Sequence, residues 1–170
     1  MSHANRGKGW EQLLEMYHAR YEAQGRAVVI RTPPPMRILR AIKPGQFLAV
    51  YSSAGPPDYM ALAGGVAFLV EAKECNAERW ALKNLHPHQG MRLDQWEAQG
   101  GRGAVLLHHV RSSSAWVLPW YRLSPIWNRW HEKHSKGQRA ASGTASLGRA
   151  DFLQIGLPFG QDGWLSQALR

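Results

Sequence analysis

Asp58, Glu71 and Lys73 are the residues whose types and spacing could do chemistry. Between Pro57-Asp58 and Glu71-Ala72-Lys73 lie two strand-like stretches, Tyr59 to Ala63 and Val66 to Val70, separated by Gly64-Gly65. Glycine supplies the positive φ that a tight hairpin turn requires, so the run predicts a hairpin. Side chains two apart on a strand share a face, which points Glu71 and Lys73 one way and Ala72 the other. The hairpin folds Asp58 back beside them. Two carboxylates next to one ammonium are the groups needed to hold Mg²⁺, orient a water and offset charge on a phosphate under attack.

The elements that must position these residues can be traced along the chain. Trp10, Leu13, Leu14, Tyr17 and Tyr21 recur at spacings of three and four, predicting an amphipathic helix over residues 8 to 24 that Gly25 ends. Glu11 lies at the edge of its buried face, where the alternative to a role at the site is a favourable contact with the helix dipole. Ala27 to Ile30 reads as a short strand. Arg31 to Gly45, with prolines at 33, 34, 35 and 44, can be neither helix nor central strand at those prolines. Arg37, Arg40 and Lys43 fall every third residue within it, a pattern that suits a projecting basic arm as well as a solvated loop, and Phe47 to Tyr51 reads as its return strand.

After Lys73, residues 74 to 80 read as a polar loop, and His86 to Glu97 as a second helix with Pro87 in its first turn, where the missing N–H costs nothing. Gln89, Leu93 and Trp96 share one face of that helix, so packing of the two apolar residues directs Gln89 to the sheet. His86 and His88 could suggest a transition-metal site, but a spacing of two does not put both rings on one helix face. Residues 104 to 110 and 115 to 118 form a second predicted hairpin, followed by the aromatic cluster Trp120, Tyr121, Trp127 and Trp130. From His131 to about Ala150 there is little to bury, which predicts a mobile basic segment; Phe159, Trp164 and Leu165 beyond it can dock on the body or on a second subunit.

Taken in order, Asn5-Arg6-Gly7 with Glu11, the Pro-rich insert, Pro57-Asp58, Glu71-Ala72-Lys73 and Lys83-Asn84-Leu85-His86-Pro87-His88-Gln89 resemble the PD-(D/E)xK nucleases, and within them the RecU-type Holliday junction resolvases. The resemblance covers roughly residues 4 to 130. It implies Asp58, Glu71 and Glu11 as ligands of Mg²⁺ or Mn²⁺, Lys73 and Gln89 as active-site partners, and a stalk that enters the open centre of a four-way junction. It implies branched DNA met by Arg6, Arg31, Arg37, Arg40, Lys43, Lys83, His86 and His88. It further implies paired symmetric nicks leaving 5′-phosphate and 3′-hydroxyl ends, a homodimer, and a bacterial cell interior of host or phage encoding. One departure is Pro57, where RecU-type sequences carry threonine before the aspartate.

The composition agrees with a nucleic-acid partner. Lys and Arg number 21 against 12 Asp and Glu, a net charge of +9, which favours polyanions through counterion release. A single cysteine, Cys75, cannot form an intramolecular disulfide, which points to a reducing, cytoplasmic setting. No apolar stretch approaches the roughly 20 residues of a membrane helix, and the N-terminus has no signal-peptide core. The expected fold is α/β, a mixed sheet of four or five strands flanked by helices in a restriction-endonuclease-like core. The nuclease domain is expected over 1–130, with the stalk inserted at about 32–56 and a basic extension over 131–170. Two other readings remain: a PD-(D/E)xK nuclease acting on linear or damaged duplex, and a non-catalytic nucleic-acid-binding protein.

Overall fold

The computed structural model describes residues 8–136 and 145–169. The chain opens with α1 (Lys8–Ala23), enters β1 (Val28–Arg31), and leaves the body as the ribbon β2 (Met36–Lys43) and β3 (Gln46–Tyr51). It returns as β4 (Tyr59–Ala63) and β5 (Val66–Cys75), then β6 (Trp80–Ala81), α2 (Pro87–Ala98), β7 (Arg102–His109), β8 (Ser114–Pro119) and α3 (Trp120–Ser135). β9 (Ser146–Leu147), α4 (Arg149–Ile155), β10 (Leu157–Pro158) and α5 (Leu165–Ala168) complete it. The main sheet has six strands in the order β1-β4-β5-β7-β8-β10, antiparallel except for the parallel pair β5–β7. A parallel pair needs a crossover, and α2 supplies it.

Period-two alternation along the central strands divides the core into two layers. Val70, Leu106 and Val117 face Trp10, Leu14 and Tyr21 of α1. Leu69, Val105, Leu107 and Leu118 face Leu93 of α2 and Trp120, Leu123 and Trp127 of α3. Gly90 lowers helix propensity, yet its place in α2 has a packing reason. A Cβ there would come within 2.6 Å of the Trp127 ring, so glycine is what lets α2 and α3 approach. The aromatic cluster is therefore core, with Tyr121 alone on the outside.

The C-terminal half of the expectation needs correction. The division at 130 falls inside α3, and residues 131–135, read as the start of a mobile segment, continue that helix because Trp127 and Trp130 bury its inner face. Beyond residue 145 the chain belongs to the body: β9 pairs with β6, β10 adds the sixth strand beside β8, and Leu147, Phe152, Trp164 and Leu165 are buried. The polar loop after Lys73 is likewise shorter than expected, since β5 runs to Cys75 and Trp80 is fully buried.

The C-terminal segment is locked to α1 by polar groups. Tyr21 Oη donates to the Asp162 carbonyl (2.8 Å) and accepts from the Trp164 amide (3.0 Å), while Trp164 Nε1 donates to His18 Nε2 at 3.1 Å. His18 must be neutral to accept that bond, and burial pushes its pKa down to about 4. An unfolded chain takes up this proton below about pH 6.5, the folded one only near pH 4, so stability is full above 6.5 and falls as pH drops toward 4. The difference amounts to about 3 kcal/mol by linkage. Urea denaturation between pH 7 and 4.5 is expected to show this loss in the wild type, and a clearly smaller one in His18→Gln, which can accept the same bond without titrating.

Candidate active site

The Gly64-Gly65 turn, with φ of +55° and +76°, closes the β4–β5 hairpin and sets its register. Tyr59 pairs with Val70, so the next position of the ladder sets Asp58 opposite Glu71. Asp58 Oδ2 accepts from the Ala72 amide at 2.9 Å. Asp58 is close enough to Glu71 for its charge to bear on that carboxylate. Glu71 is only 1% exposed. Its Oε1 takes the Lys73 ammonium at 2.6 Å and the Gln89 amide at 2.6 Å. Gln89 is held in turn by its own Oε1, which accepts from the His86 amide at the head of α2 (3.0 Å). Asp58, Glu71, Lys73 and Gln89 thus form one contiguous group.

Charge within this group is unbalanced. Burial drives the Glu71 pKa up to about 7; Lys73 opposes the rise and nearby Asp58 adds to it. Glu71 Oε2 is buried and has no hydrogen-bond partner among the described residues. An orphaned carboxylate oxygen beside a second carboxylate fits a hard divalent cation, which takes oxygen ligands and offsets the charge that burial leaves uncompensated.

Glu11 does not join the group. It bonds Arg31 at 2.6 Å on the exposed edge of α1 and β1, and among the described residues no three acidic, imidazole or thiol side chains are close enough together to hold an ion. The same contact changes the reading of Arg31, whose charge is offset by Glu11 and, at 3.8 Å, by Glu15. His86 and His88 stack with ring centroids 5.7 Å apart. The spacing argument against their meeting fails because His86 precedes the helix in an extended conformation and is free to turn back. Burial lowers the His88 pKa, and the nearby charges of His86 and Lys73 add to that. Lys83 is exposed on the turn before α2, and Arg37, Arg40 and Lys43 are exposed on the ribbon. Arg6, like the Asn5-Arg6-Gly7 motif around it, lies outside the described residues.

A link between ribbon and site has no sequence signal. Thr32, at the root of the ribbon, donates its hydroxyl to the Pro57 carbonyl and its amide to the Asp58 carbonyl (2.9 Å). Local pattern could not couple residues 25 apart.

The model of the family "Recombination protein U" matches residues 5–142. The chain belongs to the RecU family. A Holliday junction resolvase RecU of Streptococcus pneumoniae (strain Taiwan19F-14) is 32% identical over 143 residues, spanning 81% of this chain and 70% of that one. Another, from strain Hungary19A-6, is 34% identical over 122 residues, spanning 68% and 62%. Among solved structures, Archaeoglobus fulgidus Hjc, a Holliday junction resolvase from an archaeal hyperthermophile, aligns with a TM-score of 0.46 and 14% identity over 88% of this chain and 92% of that one. The curated relatives named are from a bacterium, and neither supports the expectation of phage encoding. The RecU match takes in Asp58, Glu71, Lys73, Gln89 and the ribbon, and ends before β9, so the last strand of the sheet lies beyond it.

If the carboxylate pair holds a divalent cation, 10 mM Mg²⁺ is expected to raise the melting temperature of the wild type by about 2–4 °C, the effect of a site with millimolar affinity. Glu71→Gln, read by the same thermal scan in EDTA and in Mg²⁺, is expected to lose that increment while melting no lower than the wild type in EDTA. An unchanged wild-type melting point would overturn the cation fit.

Proposed function

We propose that the protein is a metal-dependent endonuclease that resolves four-way DNA junctions by paired symmetric nicks, each leaving a 5′-phosphate and a 3′-hydroxyl. The observation that carries the reading is Glu71, a buried carboxylate with one oxygen tied to Lys73 and Gln89 and the other unpartnered beside Asp58. RecU-family membership and the names of the relatives supply the substrate class. Asp58 and Glu71 would hold Mg²⁺ or Mn²⁺, which when bound lowers the pKa of a water and neutralises charge on phosphate oxygens.

The chain's own residues supply the rest. Gln89 fixes Glu71 Oε1 without adding charge, which leaves Oε2 free for the cation that Asp58 and Glu71 would hold. Lys73 Nζ, which meets Glu71 Oε1 at 2.6 Å and has further N–H groups to give, offers one to a phosphate oxygen that gains charge as the attacking oxygen adds in line. Lys83, His86 and His88 flank the same edge and meet the DNA backbone, as do Arg37, Arg40 and Lys43 from the ribbon. Two nicks per junction and one site per chain call for a homodimer with isologous contacts. The non-catalytic reading is weaker because a paired Asp58 and Glu71 on a DNA-facing edge would repel phosphate without a cation between them.

An end-labelled immobile junction and a linear duplex of matched sequence, each with EDTA or Mg²⁺, test the proposal. Symmetric nicks in the junction alone, only with Mg²⁺ and abolished in Glu71→Gln, are the expected result. Equal cutting of both DNAs would leave a general nuclease. Lys73→Ala is expected to slow single-turnover cleavage at least about a hundredfold while junction affinity stays within a few-fold. Replacing Arg37, Arg40 and Lys43 together by alanine is expected to flatten the dependence of log affinity on log salt by up to about three.

A further inference from the structure

Prolines end the β1–β4 ladder right beside the site. Its pairs run from Val28 with Leu62 to Arg31 with Tyr59, and the same register sets Thr32 opposite Asp58, Pro33 opposite Pro57 and Pro34 opposite Pro56. The Thr32 amide donates to the Asp58 carbonyl at 2.9 Å. Beyond that point proline has no N–H to give, so neither chain can extend the ladder. The two legs of the ribbon stay in contact all the same. A Cβ on Gly55 would lie 3.2 Å from Pro34 Cα and Cβ, so Pro33-Pro34-Pro35 and Gly55-Pro56-Pro57 run closely side by side.

This arrangement strands one carbonyl. Pro57 is buried, and the residue opposite it in register, Pro33, cannot donate. A buried carbonyl without a donor is unfavourable, so a side chain has to replace the missing amide. The Thr32 hydroxyl does so, donating to the Pro57 carbonyl. One residue therefore grips the carbonyls on both sides of the Asp58 Cα, and from the other strand the Ala72 amide holds Asp58 Oδ2 at 2.9 Å. The grip carries no charge. It is needed because the Asp58 charge helps to raise the Glu71 pKa, which means that the two carboxylates repel. Turning Asp58 away would relieve that repulsion, and the approach to it is weakly held: among the described residues, the amides of Ser53, Ala54 and Gly55 form no backbone hydrogen bond.

We propose that Thr32 is a positioning residue of the site, whose hydroxyl and amide hold Asp58 against that repulsion in the place where it and Glu71 can share a divalent cation. The role rests on the reading of the carboxylate pair as a cation site. Thr32 is also where the chain leaves β1 for the ribbon, and the prolines that follow it have fixed φ, so the ribbon and Asp58 are anchored at one point. Thr32 belongs to neither layer of the core, and loss of its hydroxyl leaves both layers intact. What it releases is the Pro57–Asp58 peptide. The two carboxylates are then brought together in only a fraction of the molecules, and the apparent affinity for Mg²⁺ falls by that fraction.

Thermal scans of the full chain over a Mg²⁺ series without DNA, run alongside single-turnover junction cleavage, test it. Thr32→Val keeps the shape and removes the donor, whereas Thr32→Ser keeps the donor. The half-saturating Mg²⁺ concentration is expected to rise at least about tenfold in Thr32→Val and to stay within about threefold of the wild type in Thr32→Ser. In EDTA, Thr32→Val is expected to melt within about 4 °C of the wild type. Its cleavage is expected to be slow at low Mg²⁺ and to recover as Mg²⁺ is raised. Should Thr32→Val fail to fold, Thr32→Ala removes the same donor with a smaller side chain and is held to the same shift. A half-saturating concentration unchanged without the hydroxyl, or raised equally in Thr32→Ser, would overturn the proposal, and junction cutting by the wild type would then leave the resolvase reading standing. A wild type whose melting ignores Mg²⁺ would remove the cation fit and the role of Thr32 with it. The expected shifts in a protein that binds Mg²⁺ and cuts no junction would support the positioning role and remove the resolvase reading.

Discussion

The burial of Glu71 is the constraint on which the rest of the structure depends. A carboxylate almost wholly removed from water costs several kcal/mol unless its oxygens are engaged. One oxygen is engaged by Lys73 from the same strand face and by Gln89 from α2. The other has no partner among the described residues. Each of those neighbours demands a structural element in a particular place. The Gly64-Gly65 turn must hold the ladder in register, α2 must sit on β5 and β7, and Gly90 must let α3 close over α2. One buried oxygen is left without a partner among the described residues, the feature that fits a divalent cation.

The electrostatics of the rest of the molecule follow a division of labour. Acidic groups near the site are few and occupied, with Glu11 and Glu15 drawn off by Arg31. Arg37, Arg40 and Lys43 lie on one face of the ribbon, in a stretch with no carboxylate between Glu22 and Asp58. Their placement depends on strand irregularity. Without the two bulges of β2, between Ile38 and Arg40 and between Ala41 and Lys43, Arg40 would stand on the face opposite to Arg37 and Lys43.

The C-terminal segment shows how a small domain completes its sheet from a distance. β10 supplies a sixth strand, and Trp164 fills the layer beneath α1 through its bond to His18. This segment lies outside the stretch that matches the RecU family, so the core of this chain is finished by residues that the family match does not include.

Much of the site was legible from residue order alone. The Asp58, Glu71 and Lys73 arrangement follows from a two-residue glycine turn and period-two alternation, and the orientation of Gln89 follows from Leu93 and Trp96 on the same helix face, because both are local rules that a few neighbouring residues suffice to impose. The α/β class, α1 and the Pro-flanked ribbon were legible for the same reason. Tertiary structure alone decided the fate of Glu11, since a carboxylate on a helix edge goes to whichever charge the packing brings near, and β1 brought Arg31. It decided that His86 and His88 meet, because the backbone leaves the helix at His86. It decided the phase of Arg37, Arg40 and Lys43, because a bulge is defined by the partner strand and leaves no mark in its own residues. And it decided that the basic C-terminal segment returns to the core, where a handful of widely spaced aromatic and aliphatic side chains outweigh the polar composition between them.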